Sequence, residues 1–206
     1  VLLAATAALA RPQLVPVDPA RPDAEPVAAQ VTAEEPGRLE LTVQIGALAR
    51  ETVPLAGRDW TALTLPGGDL AGAAGRPGLP TWSTLLVLPP GADPVVTATG
   101  GRRQRIGDID LLPVQPDRAD GPVIDSTWYA AGDRATPDLV TVGEPASLAG
   151  QRVVPVTVRP VRYDAGRREV EVLGEVAITL TWPVAAARTP ARRAPASLQR
   201  VLAHAA

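Results

Sequence analysis

The 206-residue sequence contains no cysteine, no lysine, no methionine and no phenylalanine. Without cysteine there can be no disulfide, no thiol nucleophile and no thiolate metal site. Export is not excluded by that absence, because a chain of this size can bury enough core to stand without staples. Every one of the 20 basic residues is an arginine, which reflects codon usage in a GC-rich genome and points to no function. Charge of one sign is also lacking: 22 acidic residues bring the formal net charge to −2. Nucleic acid and anionic lipid therefore have no electrostatic claim on the chain. The single histidine, His204, lies in the tail. A general base needs a rigid surround, so a Ser–His–Asp arrangement built on it has no support. The chain carries no catalytic apparatus of its own, and nothing in it calls for a cofactor or a metal.

Proline is what the sequence has in abundance. Its 23 prolines are about twice the usual share of roughly 5%. Proline fixes φ and removes a helix donor, so the chain cannot be mostly helical. Residues 1–10, an apolar run ending in the small-x-small step Ala8-Leu9-Ala10, read as the remnant of an export signal. A run this short cannot span a bilayer. Residues 11–36, rich in Pro, Ala and acids, read as a tether or a first strand.

From residue 37 a period-2 pattern begins. Leu39, Leu41, Val43 and Ile45 alternate with Glu40, Thr42 and Gln44, as in a half-buried strand. Short apolar pieces follow at Val53 to Leu55, Trp60 to Leu65, Leu85 to Leu88, Val95 to Thr99 and Ile106 to Leu112, separated by Gly- and Pro-rich breakers. Val153 to Val161 reads as one extended segment, with Pro155 and Pro160 suggesting an edge or a bulge. Tyr163-Asp164-Ala165-Gly166 supplies turn chemistry, and Val170, Val172, Val176, Ile178 and Leu180 alternate with polar or small residues beyond it. About ten short strands at this spacing predict an all-β fold, an antiparallel β-sandwich or jelly roll forming a single domain over 37–183. Residues 184–206 read as an Ala/Pro/Arg linker and one short C-terminal helix, Ser197 to His204.

Chemistry-bearing clusters are few. Asp108/Asp110 and Asp117/Asp120 are carboxylate pairs that read as solvated loop-edge acids, without the Asp-x-Asp-x-Asp-Gly ladder of a hard-cation loop. Trp60, Trp82, Trp128 and Trp182 could form a carbohydrate platform if exposed, but in a chain without Phe they are expected to fill the core. The stretch from Gln115 to Arg134 is long and Pro/Gly/Asp-rich, and loops of that length are commonly functional or disordered.

Four features, in order, resemble the amino-terminal propeptide of gingipain-type cysteine peptidases. Gly75-Arg76-Pro77-Gly78-Leu79-Pro80 leads into Leu85-Leu86-Val87-Leu88-Pro89-Pro90-Gly91, similar to that family's Gly-x-Pro-x-Leu-Pro approach to an apolar strand. Ile109-Asp110-Leu111-Leu112-Pro113 is similar to the strand before the family's long loop. Val153-Val154-Pro155-Val156 followed by Arg159-Pro160-Val161-Arg162-Tyr163-Asp164 resembles its hairpin, with Asp164-Ala165-Gly166 where Asn-Pro is usual. Glu169 to Leu173 and Glu175 to Leu180 are similar to its closing strands. The resemblance covers residues 39–205, its order and spacing being more specific than any one motif.

That resemblance implies an exported propeptide that helps a downstream catalytic domain to fold and blocks its active-site cleft until cleaved away. In such propeptides a long loop places a basic residue in the specificity pocket. The matching loop is Gln115, Pro116, Asp117, Arg118, Ala119, Asp120 and onward to about Ser126, with Arg118 in the basic position and Arg134 its rival. Maturation cuts are expected at Arg192-Arg193 or at Arg200. The competing expectation is a secreted module for glycan or protein attachment.

Overall fold

The computed structural model describes residues 12–118 and 120–183. The chain begins with β1 (Gln13–Pro16), β2 (Val27–Glu35), β3 (Arg38–Ile45), β4 (Ala47–Leu55) and β5 (Arg58–Thr64). It continues through β6 (Asp69–Ala71), β7 (Leu79–Leu88), β8 (Val95–Gly100) and β9 (Arg103–Ile106) to a short helix, α1 (Ser126–Ala131), the one helix among the described residues. Then come β10 (Arg134–Ala135), β11 (Val140–Val142), β12 (Ala146–Leu148), β13 (Gln151–Val158), β14 (Val161–Asp164), β15 (Glu169–Leu173) and β16 (Glu175–Thr181). The fold is all-β, as the proline content and the alternation predict.

The ladders do not join into one jelly roll. They form four small sheets: β1-β4-β5, β2-β3-β16-β8, β10-β14-β15-β9, and β11-β13-β7-β6 with β12 also on β13. The chain is handed from one sheet to the next at breaks of one or two residues. Gly46 divides β3 from β4, Arg159-Pro160 divides β13 from β14, and Gly174 divides β15 from β16. Gly46 is required at its break, since a Cβ there would lie 2.2 Å from the carbonyl oxygen of Glu25. Val153 to Val161 is thus not one strand: Pro160, which cannot donate to a ladder, marks the change of sheet. Pro155 is not at an edge either. It sits mid-strand in β13, where its carbonyl accepts from Gly143 N in the gap between β11 and β12, so its missing N–H leaves no ladder bond broken.

Alternation places the core as expected. Leu39, Leu41 and Val43 of β3 lie directly opposite Leu180, Ile178 and Val176 of β16, all six buried. Cross-strand apolar pairs of this kind are the stabilising unit of a sheet. Segment 11–36 contributes two strands, β1 and β2, and Val17 between them is buried. Trp60, Trp82 and Trp128 are buried, and Trp182 is partly buried against Leu88, Ala92 and Val154. The export-signal reading of residues 1–10, the linker and terminal helix of 184–206, and His204 lie outside the described residues.

Leu180→Ala removes a fully buried side chain from the centre of its sheet. It is expected to cost about 2–5 kcal/mol, measured by urea denaturation, whereas Leu85→Ser on the partly exposed face of β7 should change stability little.

Candidate functional site

The stretch from Gln115 to Arg134 divides into an exposed loop and a helix that anchors it. Its ascending foot, Ile109 to Val114, belongs to no sheet yet runs through the interior, with Ile109 and Leu111 completely buried. Buried carbonyls need donors, and each of these six consecutive residues has one. Ile109 O accepts from the Tyr163 hydroxyl at 3.0 Å and Leu111 O from the Tyr129 hydroxyl at 2.8 Å. Asp110 O accepts from Thr61 N, Leu112 O from Gly78 N, and Val114 O from Gly75 N. Pro113 O accepts from Gln115 Nε2 at 3.0 Å. Burial raises the pKa of both tyrosines, so both phenols stay protonated and able to donate.

The descending foot is the start of α1. Asp125 caps it, its Oδ1 accepting from Trp128 N at 3.0 Å, while its Oδ2 accepts from Arg76 Nε at 3.2 Å. The Trp128 amide foremost holds the Asp125 carboxyl below its ordinary value; desolvation opposes this and the Arg76 guanidinium adds to it. At the other end Gly132 adopts φ +69° and stops the helix. Trp128 stacks on Tyr163, and Tyr129 meets Trp60 and Trp128 edge-on at 5.2 Å, so the helix is fastened by aromatic contacts to the core.

Between the feet the chain leaves the body. Pro116, Asp117, Arg118, Asp120, Gly121 and Pro122 are exposed, and Ala119 is outside the described residues. Gln115 marks the neck: Val123 N donates to its Oε1 at 2.9 Å and its Nε2 donates to Val123 O at 2.9 Å. Among the described residues no hydrogen bond or ion pair engages the Arg118 side chain. Arg134, by contrast, is a strand residue of β10 whose Nε lies 2.7 Å from the Asp164 carboxylate. Arg192, Arg193 and Arg200 are not among the described residues.

The remaining candidates are spoken for. Asp110 does not pair with Asp108 for chemistry; it bridges Arg58 at 2.8 Å and Arg168 at 3.2 Å, and Arg58 also lies over the Trp60 ring. Asp108 sits in a bend at φ +53°, so the two do not share one face of a strand. Among the described residues no group of three or more His, Cys, Asp or Glu is placed to hold a metal. Sequence reading took Gly75 and Arg76 only as the approach to a strand and passed over Asp125. The last had a visible signal: Asp125-Ser126-Thr127, seven residues before Gly132, is an N-cap followed by a C-cap glycine.

No protein-family model matches the chain. In sequence it is 26% identical over 142 residues to Lys-gingipain of Porphyromonas gingivalis, and 25% identical over 142 residues to Lys-gingipain HG66 of the same organism. Each alignment takes in 63% of this chain and 8% of the relative, so the chain spans a small fraction of those proteins. Among solved structures, one concerned with the zymogenic latency of gingipain K from Porphyromonas gingivalis superposes with a TM-score of 0.72 at 20% identity, covering 84% of this chain and 99% of that one. A complex of Porphyromonas gingivalis RgpB pro- and mature domains gives 0.68 at 13% identity, covering 86% and 95%. These two likenesses establish the fold.

Two outcomes follow from the feet. Tyr163→Phe leaves the Ile109 carbonyl buried without a donor and is expected to cost about 1–3 kcal/mol, read by urea denaturation. Asp125 has a folded pKa below its ordinary 3.8, so its contribution is complete above that value and is lost as pH falls through the folded pKa. Hydrogen exchange at the Trp128 amide should therefore be unchanged from pH 6 to pH 5 after correction for intrinsic rate, and lose protection only below pH 3.8.

Proposed function

We propose that this domain, related in sequence to Lys-gingipain and folded as the gingipain zymogen structures are, is the amino-terminal propeptide of an exported gingipain-type cysteine peptidase. It acts in cis as an inhibitor and folding assistant. Its body covers the active-site cleft of the catalytic domain that follows, and loop 115–122 enters the cleft. The observation that carries this reading is the loop itself, exposed, set on two anchored feet, and presenting Arg118 free of any described partner. A guanidinium offers a planar fork to a carboxylate at the bottom of a specificity pocket, and such a charge-assisted bond is worth roughly 1.5–3 kcal/mol. Covalent continuity with the enzyme adds an effective concentration on the order of millimolar. Release follows cleavage in the segment after β16, at Arg192-Arg193 or Arg200. Among the described residues no helix is long and apolar enough to cross a membrane.

The attachment-module alternative gains nothing from three of the four tryptophans, and Trp182 is partly buried against Leu88, Ala92 and Val154. A glycan platform needs exposed rings, and Trp60, Trp82 and Trp128 are at most 8% exposed.

The test is inhibition of an Arg-specific gingipain-type peptidase by the 206-residue chain added in trans. Arg118→Ala should weaken inhibition by about tenfold or more, while Arg134→Ala should leave it within about twofold of the unaltered chain. An inhibition constant unmoved by Arg118→Ala would remove this residue from the mechanism, and no inhibition by the unaltered chain would remove the mechanism itself.

A further inference from the structure

Gln115 is the first residue of the loop in sequence, but its side chain faces the neck and not the exposed tip. The carboxamide is fully used: its oxygen accepts from Val123 N, and its amine donates to both Val123 O and Pro113 O. A side-chain amide thus takes the place of a backbone peptide in a two-bond bridge, joining the two ends of the loop at Gln115 and Val123. Below it, one dipeptide serves both feet. Gly75 N donates to Val114 O while Gly75 O accepts from Asp125 N, and Arg76 O accepts from Val114 N while its side chain reaches Asp125. Gly75 holds φ +78°, and a Cβ on it would come within 2.9 Å of Asp125 N and 3.3 Å of a Val123 methyl. Only glycine fits between feet drawn this close.

We infer that Gln115 and Gly75 are positioning residues that keep the loop a plug and not a substrate. The inference rests on the inhibitory reading above for its purpose, though the clamp can be tested without it. A peptidase takes its substrate in an extended form over several residues around the bond that breaks. The chain between Gln115 and Val123 cannot be drawn out straight while its two ends are held together: the carboxamide ties Pro113 and Gln115 to Val123, and Gly75 ties Val114 to Asp125. Cutting after Arg118 therefore requires the neck to open first, and its rate follows the small population in which the neck is open. Preorganisation also tightens binding, because the loop has little freedom left to lose in the cleft. Gln115 touches neither Arg118 nor, in this scheme, the reacting atoms; it acts through the geometry of the neck.

The experiment uses trypsin as a probe on the full 206-residue chain, with mass spectrometry following the bond after Arg118 alone. Gln115→Ala should raise the rate of that cut by about tenfold, measured where the variant stays folded despite a thermal midpoint lowered by a few degrees through loss of the Pro113 O donor. Inhibition of the Arg-specific peptidase by the same variant should weaken and fade with time as the loop is cut. Gln115→Glu, which keeps an oxygen but loses both donors, should behave like the alanine variant. In the unaltered chain the Val123 amide should exchange at least about tenfold more slowly than that of Gly121, a readout that needs no variant to fold. Equal tryptic rates for Gln115→Ala and the unaltered chain, or a Val123 amide exchanging like Gly121, would overturn the clamp while leaving inhibition by Arg118 intact. Faster cutting in the variant, with no inhibition by the unaltered chain, would uphold the clamp and sink the inhibitory reading.

Discussion

Six carbonyl groups in a row, from Ile109 to Val114, lie along a piece of backbone that no sheet contains. Water cannot solvate the buried ones, and an orphaned acceptor there costs about 1–3 kcal/mol, a sizeable part of any domain's net stability. The fold answers with six donors from different places: two phenols, one carboxamide, and the amides of Thr61, Gly75 and Gly78. The chain contains only two tyrosines, and both hydroxyls are used here. Phenylalanine could have supplied the ring contacts but not these hydrogen bonds.

That constraint gives the loop its footing. Because Ile109 to Val114 is held from β5 on one side and from Gly75 to Gly78 on the other, the chain leaves the body at Gln115 in a fixed direction. It returns at Val123 into a helix capped by Asp125 and fastened through Trp128 and Tyr129 to the same aromatic cluster that supplies the donors. Core packing, backbone satisfaction and loop geometry are therefore one arrangement. A substitution in the aromatic cluster would be felt at the loop, even though no tryptophan or tyrosine belongs to it.

The all-β class and the core of β3 and β16 could be read from period-2 alternation, since Leu39, Leu41, Val43, Val176, Ile178 and Leu180 are all inward. An exposed loop could also be placed, because Pro, Asp and Gly cluster there. Sheet membership could not: Gly46, Pro160 and Gly174 each turn the chain from one sheet to another, and a local pattern does not say which partner a strand will meet. Helix α1 was hidden by its length of six residues, too short for a hydrophobic period to appear, although its caps were legible. The pairing of Gln115 with Val123 and the double use of Gly75 were beyond reach. The first joins residues eight apart across a stretch with no periodic pattern, and the second depends on segments some 40 to 50 residues apart being brought side by side, as Gly75 is with Val114 and Asp125.

The most direct test of a rigid body presenting a plug is hydrogen exchange on the domain alone and in complex with a gingipain-type catalytic domain. Amides of Leu112 and Val114 should be protected in both states, since their partners are internal. New protection on binding should concentrate in residues 116–122. Exchange in that loop unchanged by the catalytic domain, with protection appearing on another face, would contradict the account.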